Sequence, residues 1–329
     1  MSDTQNHLLC GSYSLPQLNE IFQSCIEEHL SLYRLGCLGP DLFFYYNFMP
    51  YENDGGVNKY GSMLHKTNPD ILFNLAAIYI RTLEGKSRNA ALAYVVGYIA
   101  HYVLDSITHP YVIHFAAEYD KNRPETRCYK HTHKRLEILL DILNFEKENK
   151  SFFDLKPLSF FSAIEIEAVS GLYDKWFSVL FHMQVPRQII EKSAKDLYRL
   201  QKFSQSAGKV KYKLFKKLEK QPFSFTRICP YISEEERNLD IMNEQHRMWQ
   251  HPFDPEVFCN YSYSELFHQA VRAFPLKANA FYNFLLKENT ALDLFEGKGF
   301  DIGVRSENAS PASGMTCVFD PLWKGNISQ

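Results

Sequence analysis

The sequence predicts an all-α protein. Apolar residues recur at spacings of three and four along most of the chain, and alternating strand-like runs bounded by tight turns are almost absent. Capping and breaking residues also fall where helices of ordinary length need them. In order, a first helix is expected over Leu15–Leu35, with Ser14 as N-cap, Pro16 in its first turn and Leu18, Phe22, Cys25 and Ile26 on one stripe. Asp70–Leu83 repeats the period with Leu72, Leu75, Ile78 and Tyr79. Asn89–Thr108 is apolar on nearly every side, as a helix buried all round must be. Further helices are expected at Lys134–Leu143, Phe160–Leu180, Gln188–Phe203 and Ser264–Lys287. Gly36–Asp41 and Asn53–Gly61 read as loops, and Pro222–Ser262, mixing Pro, Asn, His and Trp, as a surface wrap. Residues 1–299 are expected to form one helical domain, with a metal-binding half over about 1–145 and a helical remainder after it. Residues 300–329, rich in Ser, Gly, Asn and Pro, read as an irregular C-terminal tail.

Composition narrows the function. With 36 basic and 38 acidic residues the net charge is −2, so the bulk charge carries no general nucleic-acid coat. Seven scattered cysteines contain no Cys-x-x-Cys pair, which excludes a zinc ribbon or a redox dithiol and fits a reducing compartment. No signal peptide is legible at the N-terminus. The longest apolar run, Ala90 to Leu104, is interrupted by Gly97 and His101 and stops at Asp105, too short for a spanning helix. The expected location is the cytoplasm. Lys209–Lys220 carries six lysines; its plain reading is a solvated helix face, its sharper one a contact with an anionic lipid surface.

Eight of the twelve histidines fall in the first 133 residues. A core explanation gives no reason for that crowding. Residues four apart on a helix drift by only about 40°, so His101, Asp105 and His109 share one face, and Pro110 is expected to end the helix behind them. An ionised aspartate inside an apolar helix needs a cation beside it, and imidazole with carboxylate is a zinc ligand set. The plain alternative is a hydrogen-bonded core His–Asp pair. A second pair, His133 and Glu137, lies one turn apart on the next helix. His131 is expected to be a bystander and Asp141 to face water. His7, Asp41 and His65 are isolated candidates that complete an inventory large enough for more than one metal.

Taken together, Gly39-Pro40-Asp41-Leu42-Phe43-Phe44-Tyr45, Gly61-Ser62-Met63-Leu64-His65, His101-x3-Asp105-x3-His109-Pro110 and His133-x3-Glu137 closely resemble the bacterial zinc-dependent phospholipase C family, which is related to the single-strand-specific zinc nucleases. The resemblance implies a compact multi-helix bundle with two or three zinc ions in a cleft. One zinc would be held by Asp41, His65, His101 and Asp105, a second by Asp105 as a bridge and His7, a third by His109, His133 and Glu137. Asp41 would be the catalytic base. The implied reaction is attack of zinc-bound water on a glycerophospholipid, releasing diacylglycerol and a phosphorylated headgroup. The implied partners are a phospholipid or other phosphodiester and, transiently, a membrane surface, with no stable nucleic-acid partner.

Two departures stand out. Secreted members use the free amine of an N-terminal Trp as a ligand, whereas here six residues precede His7, and the gap from Asp105 to His109 is shorter. Divalent ions outweigh the three ligand carboxylates, so the centre stays cationic and suited to a phosphodiester anion. Phe43, Phe44, Tyr45 and Tyr46 are expected in the core rather than on a lipid-facing rim. Two rival functions remain at this level. A zinc nuclease or general phosphodiesterase would want a basic, aromatic-lined groove. A non-catalytic, metal-stabilised binding protein would show a closed coordination shell.

Overall fold

The computed structural model describes residues 4–49, 52–151, 155, 158, 161–205, 210, 213, 229–287 and 293–323. Helices α1 (Thr4–Ser14), α2 (Glu20–Glu28), α3 (Leu30–Gly36), α4 (Asn58–His65), α5 (Pro69–Arg81), α6 (Gly85–Ala116), α7 (Thr132–Lys147), α8 (Ala163–Phe181), α9 (Arg187–Gln205), α10 (Glu234–Arg237), α11 (Tyr263–Leu285) and α12 (Asp320–Trp323) follow in order. Short 3₁₀ turns lie at Leu15–Gln17, Gly39–Tyr45 and Pro124–Tyr129. A small antiparallel hairpin pairs β1 (Trp249–His251) with β2 (Asp254–Cys259), Trp249 opposite Cys259. The fold is all-α around that hairpin.

Helix α6 is the axis of the bundle, packed chiefly against α3, α8 and α11. It is the one described helix long and apolar enough to cross a membrane by length and composition, and 89% of that stretch is buried inside the protein. On α6, Tyr94 Oη lies 2.6 Å from Tyr173 Oη of α8, and beside it Trp176 of α8 donates to the Leu72 carbonyl of α5 at 2.9 Å. Buried groups paired in this way lose little on leaving water.

The first long segment is not one helix. Asn19 caps α2 by accepting from the Phe22 amide at 2.9 Å, and His29, at φ −127° and ψ 41°, separates α2 from α3. Ser14 ends α1 instead of capping a helix, its hydroxyl within 3.0 Å of the Cys10 and Val271 carbonyls. Gly36–Asp41 is not an open loop either, since Gly39–Tyr45 coils into a buried 3₁₀ turn. Nor does Pro110 end α6, which runs on to Ala116. An internal proline costs roughly 3 kcal/mol, but Tyr111, Val112 and Phe115 beyond it are buried. The carbonyls of His114 and Phe115 accept from the Thr316 and Val318 amides at 2.8 and 2.9 Å, so the helix end is satisfied by a later segment. Asp141 does not face water: it is buried and accepts from the backbone amides of Gln5 (3.2 Å) and Asn6 (2.8 Å), placing a carboxylate at the positive end of α1. Pro222–Ser262 includes α10 and the hairpin. Most of Lys209–Lys220 lies outside the described residues.

Helices α3 and α6 meet backbone to backbone. A Cβ on Gly97 would stand 2.2 Å from the Tyr33 carbonyl oxygen and 2.8 Å from the Cys37 nitrogen, neither of which can swing aside. Gly97→Ala is therefore expected to cost about 2–3 kcal/mol of stability by overpacking, measured by urea unfolding. A change below ~0.5 kcal/mol would mean that the two helices are free to separate.

Candidate metal centre

Helix α6 fixes the middle of the cluster. One turn apart on its buried face, His101 Nε2 stands 3.1 Å from Asp105 Oδ2. Helix α1 brings His7, whose Nε2 is 3.2 Å from the other carboxylate oxygen and whose ring stacks on that of His101 at 4.3 Å. The 3₁₀ turn brings Asp41 and the end of α4 brings His65, with His65 Nε2 3.3 Å from Asp41 Oδ1 and 3.7 Å from Asp105 Oδ2. All five residues are buried.

A second group lies farther along α6. The His109 ring packs edge-on to His133 at 4.9 Å, and His133 Nε2 is 3.1 Å from Glu137 Oε1 on the next turn of α7. Lys134 Nζ reaches the other Glu137 oxygen at 3.6 Å. His131 stands at the N-cap of α7, outside both groups. The structure thus brings together all eight sequence-predicted residues. Ligand atoms lie within 4.8 Å of one another in each of four sets: His7–His101–Asp105, Asp41–His65–His101, His109–His133–Glu137 and His65–Asp105–Asp301.

Asp301 escaped the sequence analysis. It follows Phe300, whose ring is fully buried against Tyr102 at 4.9 Å and His65 at 5.8 Å. Nothing periodic links residue 301 to α6, so only the folded chain shows their proximity. Gly39 has a role the sequence shows only as a turn. Its φ is +50°, and a Cβ there would stand 2.4 Å from His101 Cδ2, so only glycine lets the turn close onto that imidazole. Of the four neighbouring aromatics, Phe43 and Tyr45 are core and Tyr46 is half-buried; Phe44 is 39% exposed and stacks on His65 at 5.8 Å.

The donors suit a metal. His65 Nδ1 donates to the Gly61 carbonyl at 2.9 Å and His109 Nδ1 to the Asp301 carbonyl at 3.1 Å, which fixes each ring and leaves Nε2 for a ligand. The His101 ring is wholly buried, and while its Nε2 faces Asp105, its Nδ1 has no hydrogen-bond partner among the described residues. Such an orphan is costly unless something positive completes it.

The electrostatics agree. Burial alone would raise the Asp105 carboxyl, but His101 and His7 outweigh it and hold it well below the usual carboxylate range. Asp41 is lowered against its burial by the His65 hydrogen bond and charge. Glu137 falls to about 2, its burial outweighed by His133 and Lys134. Burial would lower His65 and His109, yet Asp301 and the other carboxylates raise both, His65 well above its ordinary value. In the absence of metal, His65 and His109 thus hold their protons more tightly than a free imidazole does.

Fold and site together define an all-α protein with a cluster of imidazoles and carboxylates fit for several metal ions. The sequence model of the zinc dependent phospholipase C family matches residues 6–209, more than half of the chain. The chain belongs to that family, a family of hydrolases in which zinc dependence and a phospholipid substrate go together. No curated protein and no solved structure matches it.

The raised imidazoles give a test by pH. In the metal-free protein their stabilising contribution is complete below the ordinary value of 6.5 and is lost as pH rises through the raised folded value. That of Asp105 is complete above 3.8 and is lost as pH falls through its lowered value. Zinc must displace the imidazole protons, so its uptake at pH 7 should release about one to two protons per chain, read with an indicator dye in weak buffer. Apparent affinity should rise with pH above 6.5. Proton-neutral uptake would contradict the assignment.

Proposed function

We propose that the protein is a zinc-dependent phosphodiester hydrolase of phospholipase C type, cleaving a glycerophospholipid to diacylglycerol and a phosphorylated headgroup. The observation that carries this reading is the wholly buried His101 imidazole, its Nε2 3.1 Å from the buried Asp105 carboxylate, between the rings of His7 and His65. Asp41, His65, His101 and Asp105 would hold one zinc; Asp105 with His7 would hold another; His109, His133 and Glu137 would hold a third. Bound zinc supplies positive charge for the phosphoryl oxygens and lowers the pKa of water from 15.7 toward about 7.

The chain's own groups do the rest. Asp41, whose carboxyl His65 holds below its ordinary value, would accept a proton as a nucleophilic water attacks phosphorus. Hydrogen bonds from Nδ1 to main-chain carbonyls keep His65 and His109 from rotating. Exposure concentrates at one edge, where the side chains of His133 and Asp301 are 41% and 39% exposed and Phe44 is 39% exposed. That edge is where a phosphodiester enters, with Phe44 offering an apolar surface to the lipid part during transient contact with a membrane surface. The reading takes residues 1–299 as one helical domain and residues 300–329 as an irregular C-terminal tail.

Two substitutions separate binding from proton transfer. Asp105→Asn should lower zinc content and abolish hydrolysis of a chromogenic phosphocholine ester together. Asp41→Asn should retain most of the zinc while kcat falls by about 10²–10⁴-fold. Full zinc and full turnover in Asp105→Asn protein would remove Asp105 from the centre.

A further inference from the structure

The segment after residue 293 is built onto α6 at several points. Asp70 accepts from the Phe295 and Gly297 amides, each at 2.8 Å, and Tyr102 Oη donates to the Lys298 carbonyl at 2.9 Å. The Gly299 amide donates to the Val304 carbonyl at 2.9 Å and the Gly303 amide to the Gly299 carbonyl at 3.1 Å, closing a small loop. Farther on, Thr316 and Val318 bond to the end of α6. The segment therefore runs alongside α6 from Tyr102 to Phe115, and the tip of its closed loop falls opposite Asp105 and His109.

Asp301 occupies that tip. Its Oδ1 is 4.0 Å from His65 Nε2 and 3.8 Å from His109 Nδ1, while its main-chain carbonyl accepts from that same His109 nitrogen at 3.1 Å. With His65 and Asp105 it offers ligand atoms within 4.8 Å of one another. It comes from outside the family-matched residues 6–209. We propose that the Asp301 carboxylate is an additional zinc ligand, supplied by the C-terminal segment to the His65–Asp105 site.

This rests on the metal reading given above and deepens it. A carboxylate there would add an ordinary zinc donor to His65 and Asp105. It also adds a negative charge that the residues of the matched region do not provide. The centre would then be less cationic and its open edge narrower. The two parts of Asp301 act separately: the main-chain carbonyl orients His109 whatever the side chain is, so a side-chain substitution addresses the ligand alone.

The test uses the full chain as wild type, Asp301→Asn and Asp301→Ala, stripped with chelator and reloaded. Zinc per chain is measured by mass spectrometry, zinc affinity by competition with a chromophoric chelator, and thermal unfolding with and without zinc. The wild type should bind zinc. Both variants should lose a zinc or bind it at least ~10-fold more weakly, with a smaller zinc-induced rise in Tm than the wild type. Wild-type stoichiometry and affinity in both variants would overturn the proposal and leave the hydrolase reading standing. Equal losses of Tm with and without zinc would also overturn it, since a merely structural residue behaves in that way. A wild type that takes up no zinc would bring down both.

Discussion

An aspartate in the middle of a buried helix is the constraint to which the site answers. Asp105 lies buried on α6, and its charge has to be met by groups that its own helix and other elements carry in. His101 meets it from the preceding turn, His7 from α1 and His65 from the end of α4. Each of those elements is itself held by a polar device. Asp141 and Asn144 of α7 tie down the start of α1, and the Gly61 carbonyl fixes the His65 ring. The pairing around Asp105 therefore couples α1, α4, α6 and α7 into one frame. A divalent ion placed there would replace protons on the same donors.

Precision at this centre depends on small residues as much as on ligands. Gly97 lets α3 approach α6 until backbone atoms touch, which sets where the chain leaves α3 and enters the Gly39–Tyr45 turn. Gly39, with its positive φ, then closes that turn onto His101 and delivers Asp41 two residues later. The α3–α6 contact and the position of Asp41 are thus one geometric problem. A side chain at either glycine disturbs both.

Much of this was legible in the sequence because it is local. His101, Asp105 and His109 declare a shared face through their spacing, as His133 and Glu137 do, and a helix fixes such relations before any tertiary contact forms. His7, Asp41 and His65 stand out as isolated ligand types that no periodicity connects to α6, and only the family resemblance assigns them to particular zinc sites. The errors have the opposite character. Pro110 was expected to stop α6, but buried Tyr111, Val112 and Phe115 and the bonds from Thr316 and Val318 carry the helix past it. His29 breaks what reads as one amphipathic helix, and Asp141, polar on the last turn of an expected helix, turns inward to cap α1. Asp301 is the extreme case, brought to His109 across 192 residues by bonds that begin at Asp70.

The central claim is that these imidazoles and carboxylates hold zinc. Anomalous diffraction at the zinc edge, on crystals of protein purified without chelator, tests it most directly. The account requires anomalous peaks between His101, Asp105 and their neighbours from α1 and α4, and a further one beside His109, His133 and Glu137. Fully ordered side chains with no anomalous density there, in protein never exposed to chelator, would contradict it.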